Sequence, residues 1–240
     1  MPKPVNQQDK RIKILFLSAN PEDTEQLRID KEIRQIKQAL LQTEFRDKFA
    51  LEQEWAVQVS DLQGHLLHHK PDIVHFSGHG SEASEIVLED GDGNSYEVPA
   101  QALSKLFEIF KNELRCVVLN ACYSAPQAQA IAQHIDCVVG MSKAIGDEAA
   151  ISFAVAFYRA LGYGKDVKTA FDLGCLQIHL ENLDEQDTPK LIAGSKDPQE
   201  IIFAKIDEIE RSDGSAPGSL VGKLDAEKVV VANKIDTVNM

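Results

Sequence analysis

Two side chains in this sequence stand where chemistry could be done. His79 lies in the turn Ser77-Gly78-His79-Gly80, just past the apolar run at residues 72–76. Cys122 lies in Asn120-Ala121-Cys122-Tyr123-Ser124, just past the run at residues 115–120. A thiolate attacks carbonyl carbon. An imidazole can take the thiol proton, or stabilise the thiolate as imidazolium, and then protonate a leaving amine. The turns add backbone N–H groups at Gly80 and Cys122 that can face a developing oxyanion. The competing assignment is a structural histidine and a buried core cysteine. That assignment suits Cys116 and Cys137, which lie inside apolar runs, and Cys175 in a helical segment. No third orienting residue stands out.

The two side chains can meet only if the elements bring them together. Residues 11–20 read as a strand running into an Asn-Pro turn. A helical pattern over 25–49 carries Leu27, Ile29, Ile33, Ile36 and Leu40. Residues 54–60 alternate like a strand, and Asp61 is placed to cap the helix that follows. A strand over 72–76 empties into the histidine turn. A hairpin is expected over 85–89 and 96–98, with a helix from Pro99 and a strand over 115–120. A helix over 125–135, a strand over 137–141, helices over 147–161 and 166–183 and a last strand over 201–204 complete the pattern. Strands alternating with helices predict an α/β sandwich with a mostly parallel sheet. Such sheets carry their chemistry past the carboxyl ends of the strands. If the strands at 72–76 and 115–120 are neighbours, about 5 Å separates those ends.

Composition limits the alternatives. Apolar residues make up 43% and charged residues 26%, ordinary values for a soluble globular protein. The net charge of -13 argues against general binding to nucleic acid or acidic lipid. Neither a membrane span nor an export signal is read. The four cysteines lack C-x-x-C spacing and are expected to be reduced thiols in a cytoplasmic protein. The α/β domain carrying His79 and Cys122 is expected over 11–208. Residues 209–240 read as a linker, RSDGSAPGS, and a tail carrying VVVAN. That tail could be an edge strand, a docking segment for an activating sensor or partner, or the start of further sequence.

Several motifs fail on spacing. His65 and His69 stand at i, i+4, but the glutamate of H-E-x-x-H is missing and no third ligand is evident, so neither metal nor other cofactor is expected. Asp90, Asp92 and Asn94 open like a calcium loop, yet Ser95 and Gln101 occupy its glycine and glutamate positions. Asn233-Lys234-Ile235-Asp236 imitates a guanine-recognition motif without a phosphate-binding loop.

HFSGHG, followed 43 residues after His79 by LNACYS, resembles the caspase-like cysteine peptidases that include separases and gingipains, and most of all the CHAT domain, the caspase and HetF-associated family. Gly146-Asp147-Glu148-Ala149-Ala150, Phe157-Tyr158 and Leu161-Gly162 resemble it too. The resemblance spans about residues 11–205. It implies a caspase-like three-layer sandwich with helices on both faces of the sheet, and a cysteine endopeptidase with His79 and Cys122 catalytic. It further implies a protein substrate and an effector role in bacterial defence or regulated cell death. The residue two before the cysteine lines the P1 pocket in such peptidases, which points to Asn120, helped by Asp147. P1 stays open between basic and uncharged side chains, with a lean to basic. Asp147 is also placed to cap its helix. The alternatives are a latent or catalytically weak scaffold of the same fold, and a flavodoxin-like or receiver-like domain.

Overall fold

The computed structural model describes residues 11–205. Its first strand, β1 (Ile12–Ser18), places Ile14 and Phe16 on one face and Leu15 and Leu17 on the other, all four buried. A parallel strand covered on both sides needs that pattern. There follow α1 (Ile29–Leu41), β2 (Phe49–Glu54), α2 (Leu62–His69) and β3 (Ile73–Ser77). The hairpin β4 (Ile86–Glu89) and β5 (Ser95–Val98) precedes α3 (Ala100–Phe110), β6 (Cys116–Asn120), α4 (Ala125–Ile131) and β7 (Cys137–Met141). The chain then forms α5 (Asp147–Gly162), α6 (Val167–Leu180) and β8 (Pro189–Ala193).

The sheet order is β2-β1-β3-β6-β7-β8. All neighbours are parallel except β8, which runs antiparallel to β7. α1, α5 and α6 bury one face, with Ile29, Ile33 and Ile36 of α1 packed on Ile14 and Phe16. α2, α3, α4 and the hairpin bury the other, where Leu66, Leu103 and Phe107 meet Leu15, Val74 and Val117. The result is the expected three-layer α/β sandwich. Asp90 closes the hairpin by accepting the N–H groups of Asp92 and Asn94, each at 2.9 Å, so the acidic run serves as a turn.

Three elements depart furthest from the sequence reading. The helical pattern over 25–49 stops at Leu41, where the Thr43 hydroxyl donates to the Leu40 carbonyl at 2.6 Å and ends the helix. The second strand is β2 rather than 54–60. Ala56 turns left-handed at φ 52°, and of the alternating apolar residues there only Val57 is buried, with Trp55 and Val59 exposed. The last strand is β8 rather than 201–204, where Ile202 makes one isolated bridge to Asp166. β8 begins at a proline, which an edge strand tolerates and sequence pattern penalises. The expectations for residues 209–240 lie outside the described residues. No helix among the described residues is long and apolar enough to cross a membrane.

Candidate active site

β3 and β6 lie side by side with Ser77 opposite Asn120, so His79 and Cys122 each stand two residues beyond that last pair. The Gly78 N–H donates to the Asn120 carbonyl at 3.4 Å and carries the pairing one step further. Both glycines of the histidine turn are needed for space. A Cβ on Gly78 would lie 2.7 Å from the Phe76 ring, and one on Gly80 only 1.9 Å from the Cys122 carbonyl oxygen. Neither has a left-handed φ, so both serve close approach rather than a special backbone turn. The left-handed residue is Tyr123, at φ 56°, directly after the cysteine. Ser124 pins that turn: its buried hydroxyl lies 2.8 Å from the Ala121 carbonyl and accepts the Met141 N–H at 2.9 Å.

His79 and Cys122 line one small cleft of about 40 Å³ together with Glu32, Asn120, Ile145 and Asp147. His79 is not left to rotate. Its Nε2 lies 2.7 Å from the backbone carbonyl of Glu25, to which the ring N–H donates. The Cys122 thiol, partly buried, donates to the Ile145 carbonyl at 3.8 Å. Among the described residues, neither the Gly80 nor the Cys122 N–H donates to another backbone group. Asp147 is the first residue of α5, and its carboxylate accepts the Arg28 N–H at 3.1 Å. Gly146 holds the cap position, which corrects the capping role read for Asp147.

Beneath the cleft lies a buried polar network. Glu32, 3% exposed, accepts from Asn120 Nδ2 at 2.7 Å and His75 Nε2 at 3.0 Å through one oxygen, and from the Ser77 hydroxyl at 2.5 Å through the other. His75 Nδ1 completes it at 3.1 Å from the Tyr158 hydroxyl, and the His75 ring stacks on Phe16. Burial, and then the neighbouring Cys116 and Glu32, push the Tyr158 hydroxyl well above its ordinary pKa, which keeps it a donor. Asn120 uses its amide nitrogen here, while its buried Oδ1 has no hydrogen-bond partner among the described residues. The other thiols are poorly suited to attack. A hydrogen bond with Cys137 and burial push Cys116 well above the usual thiol range. Burial, with Asp172 and Asp187 adding, moves Cys175 to about 11.

Sequence reasoning missed the Glu25 carbonyl because a main-chain oxygen carries no residue-type signal. Glu32 did leave one: it stands between Ile29 and Ile36 at i+3 and i−4, on the inward stripe of α1.

The CHAT domain family model matches residues 2–178. A probable protease of Gillisia limnaea is 28% identical over 159 residues, 65% of this chain and 28% of that relative. A Roc-COR-CHAT protease of an unknown prokaryotic organism is 28% identical over 169 residues, 68% of this chain and 16% of the relative. This chain therefore spans less than a third of the length of either. Among solved structures, the Arg-specific cysteine proteinase gingipain R is similar with a TM-score of 0.57 at 15% identity, over 81% of this chain and 48% of that one. A secreted C11 cysteine protease from Bacteroides thetaiotaomicron gives 0.57 at 10% identity, over 76% and 66%. Caspase-1 from Spodoptera frugiperda gives 0.52 at 11%, over 78% and 88%. These likenesses give the chain a caspase-like fold, and by the match over residues 2–178 it belongs to the CHAT domain family.

Proposed function

We propose that the chain is a cysteine endopeptidase acting on protein substrates. The observation that carries this reading is the cleft shared by His79 and Cys122, with the His79 ring already held from behind by Glu25. Donation of Nε2–H to that carbonyl leaves Nδ1 as the nitrogen with a free lone pair, able to accept the thiol proton. The thiolate then attacks the scissile carbonyl, the imidazolium protonates the leaving amine, and water releases the acyl group. The N–H groups of Gly80 and Cys122 serve as the oxyanion hole. Asn120 and Asp147 line the P1 pocket, where the Asp147 carboxylate offers an acceptor. They favour a P1 side chain that donates hydrogen bonds, basic ahead of uncharged. An effector role in bacterial defence or regulated death is the setting in which such a protease would act.

A latent form of the same site is the second reading, since the cleft shared by His79 and Cys122 is small, about 40 Å³. In this form the loops at residues 25–28 and 142–146 open when substrate or an activating partner binds. The test is cleavage of a peptide library by the purified chain, alone and with candidate partners, beside Cys122→Ala. Turnover that disappears in the variant supports the reading. Equal turnover by Cys122→Ala overturns it.

A further inference from the structure

Away from the cleft, at the edge of the sheet, three ligating side chains converge. His65 and His69 stand one turn apart on α2, so their rings project from the same face of that helix. Glu54 ends the edge strand β2, directly before the chain turns towards α2. One Glu54 carboxylate oxygen lies 2.7 Å from His69 Nε2 and 3.4 Å from His65 Nδ1. All three ligand atoms fall within 4.8 Å of one another. Bonds of 2.0–2.1 Å at tetrahedral angles would set ligand atoms about 3.3 Å apart. Adjustments of at most about 1.5 Å bring the three atoms from the observed spacing to those distances.

We propose that Glu54, His65 and His69 form a binding site for a divalent transition-metal ion of the zinc class. Two imidazoles and one carboxylate suit such an ion, whereas calcium and magnesium prefer oxygen donors. The three side chains are 14–30% exposed, open enough to exchange an ion and confined enough to be aimed. Their backbones are tied down: Lys13 Nζ donates to the His69 carbonyl at 2.9 Å, and the Ser18 hydroxyl to the Glu54 carbonyl at 3.1 Å. The third ligand comes from a strand eleven residues before His65, outside any local motif, which is why the helix alone gave no metal signature. The net charge of -13 adds a general attraction for cations. Three protein ligands leave the fourth position to water or an exogenous group. The bound ion ties the edge strand to α2.

The experiment is titration of the full chain with Co²⁺ and Zn²⁺, read by the visible spectrum of cobalt, competition by zinc and thermal melting. One ion per chain is expected, with the bands of a nitrogen- and oxygen-ligated low-coordinate cobalt and a raised melting temperature. Affinity should fall at least about tenfold in His65→Ala, His69→Ala and Glu54→Gln. It should not change in His68→Ala, whose ring only abuts that of His69. Should a histidine variant fail to fold, Glu54→Gln, which keeps the side-chain shape, decides alone. Absence of stoichiometric binding, unchanged affinity in Glu54→Gln, or a thiolate-to-cobalt charge-transfer band placing the ion at Cys122 would each overturn the proposal.

Discussion

His75 and His79 are four residues apart in one stretch and have opposite surroundings. His75 lies inside β3, fully buried, with one ring nitrogen on Tyr158 and the other on Glu32. His79 stands two residues past the strand, with one nitrogen on a main-chain carbonyl and its ring at the cleft. A ring satisfied at both nitrogens and sealed from water serves structure. A ring held at one nitrogen and open at the other can move protons. The end of the strand divides the two roles, and the partner strand repeats the division: Cys116 is buried within β6, and Cys122 lies beyond it.

The predictions probe that division. In the proposed mechanism, Cys122→Ala should abolish cleavage, a loss of at least ~10⁴-fold in kcat/KM, with an unchanged circular dichroism spectrum. His79→Ala should lose roughly 10²–10⁴-fold, again with little effect on melting. His75→Ala should do the reverse. It takes one of three donors from the buried Glu32 carboxylate and the acceptor from the buried Tyr158 hydroxyl, and should cost about 3 kcal/mol of stability in denaturant unfolding. A His75→Ala protein that melts like wild type would erase the distinction between the two rings. Gly80→Ala should displace the Cys122 backbone and cost ~100-fold in turnover, because its Cβ has no room beside that carbonyl.

The smallest effect lies outside the lining of the cleft. Asp166 caps α6 by accepting the Thr169 N–H at 2.8 Å. Burial works against its charge, but the Thr169 N–H and hydroxyl outweigh it and hold its carboxyl below the ordinary range. A depressed carboxyl contributes stability in full above its unfolded pKa of about 4 and loses it as pH falls through the folded value. Asp166→Ala should therefore destabilise by about 1 kcal/mol at neutral pH and by less in acid, measured by thermal melts across pH.

Much of this was legible in the sequence, because alternating buried strands and the α1 stripe obey fixed periods. β7 and the start of α5 fall at the expected residues, and β3 and β6 within one residue of theirs, since small polar turns bound them. The strand at 49–54 was hidden because its one deeply buried residue, Phe49, gives no periodic signal. At the site, residue types pointed to His79 and Cys122, while the Glu25 carbonyl and the packing of Gly80 on Cys122 exist only in three dimensions. Glu54 meets His65 and His69 for the same reason.

The most direct test is the rate of iodoacetamide alkylation at each cysteine, mapped by mass spectrometry in wild type and His79→Ala at neutral pH. Cys116 and Cys137 are buried, and Cys175, near 11, carries little thiolate until the pH approaches that value. The account predicts that Cys122 labels first by a wide margin, and that His79→Ala slows it towards the rate of an ordinary thiol. Labelling with no preference for Cys122, or a Cys122 rate indifferent to His79, would contradict it.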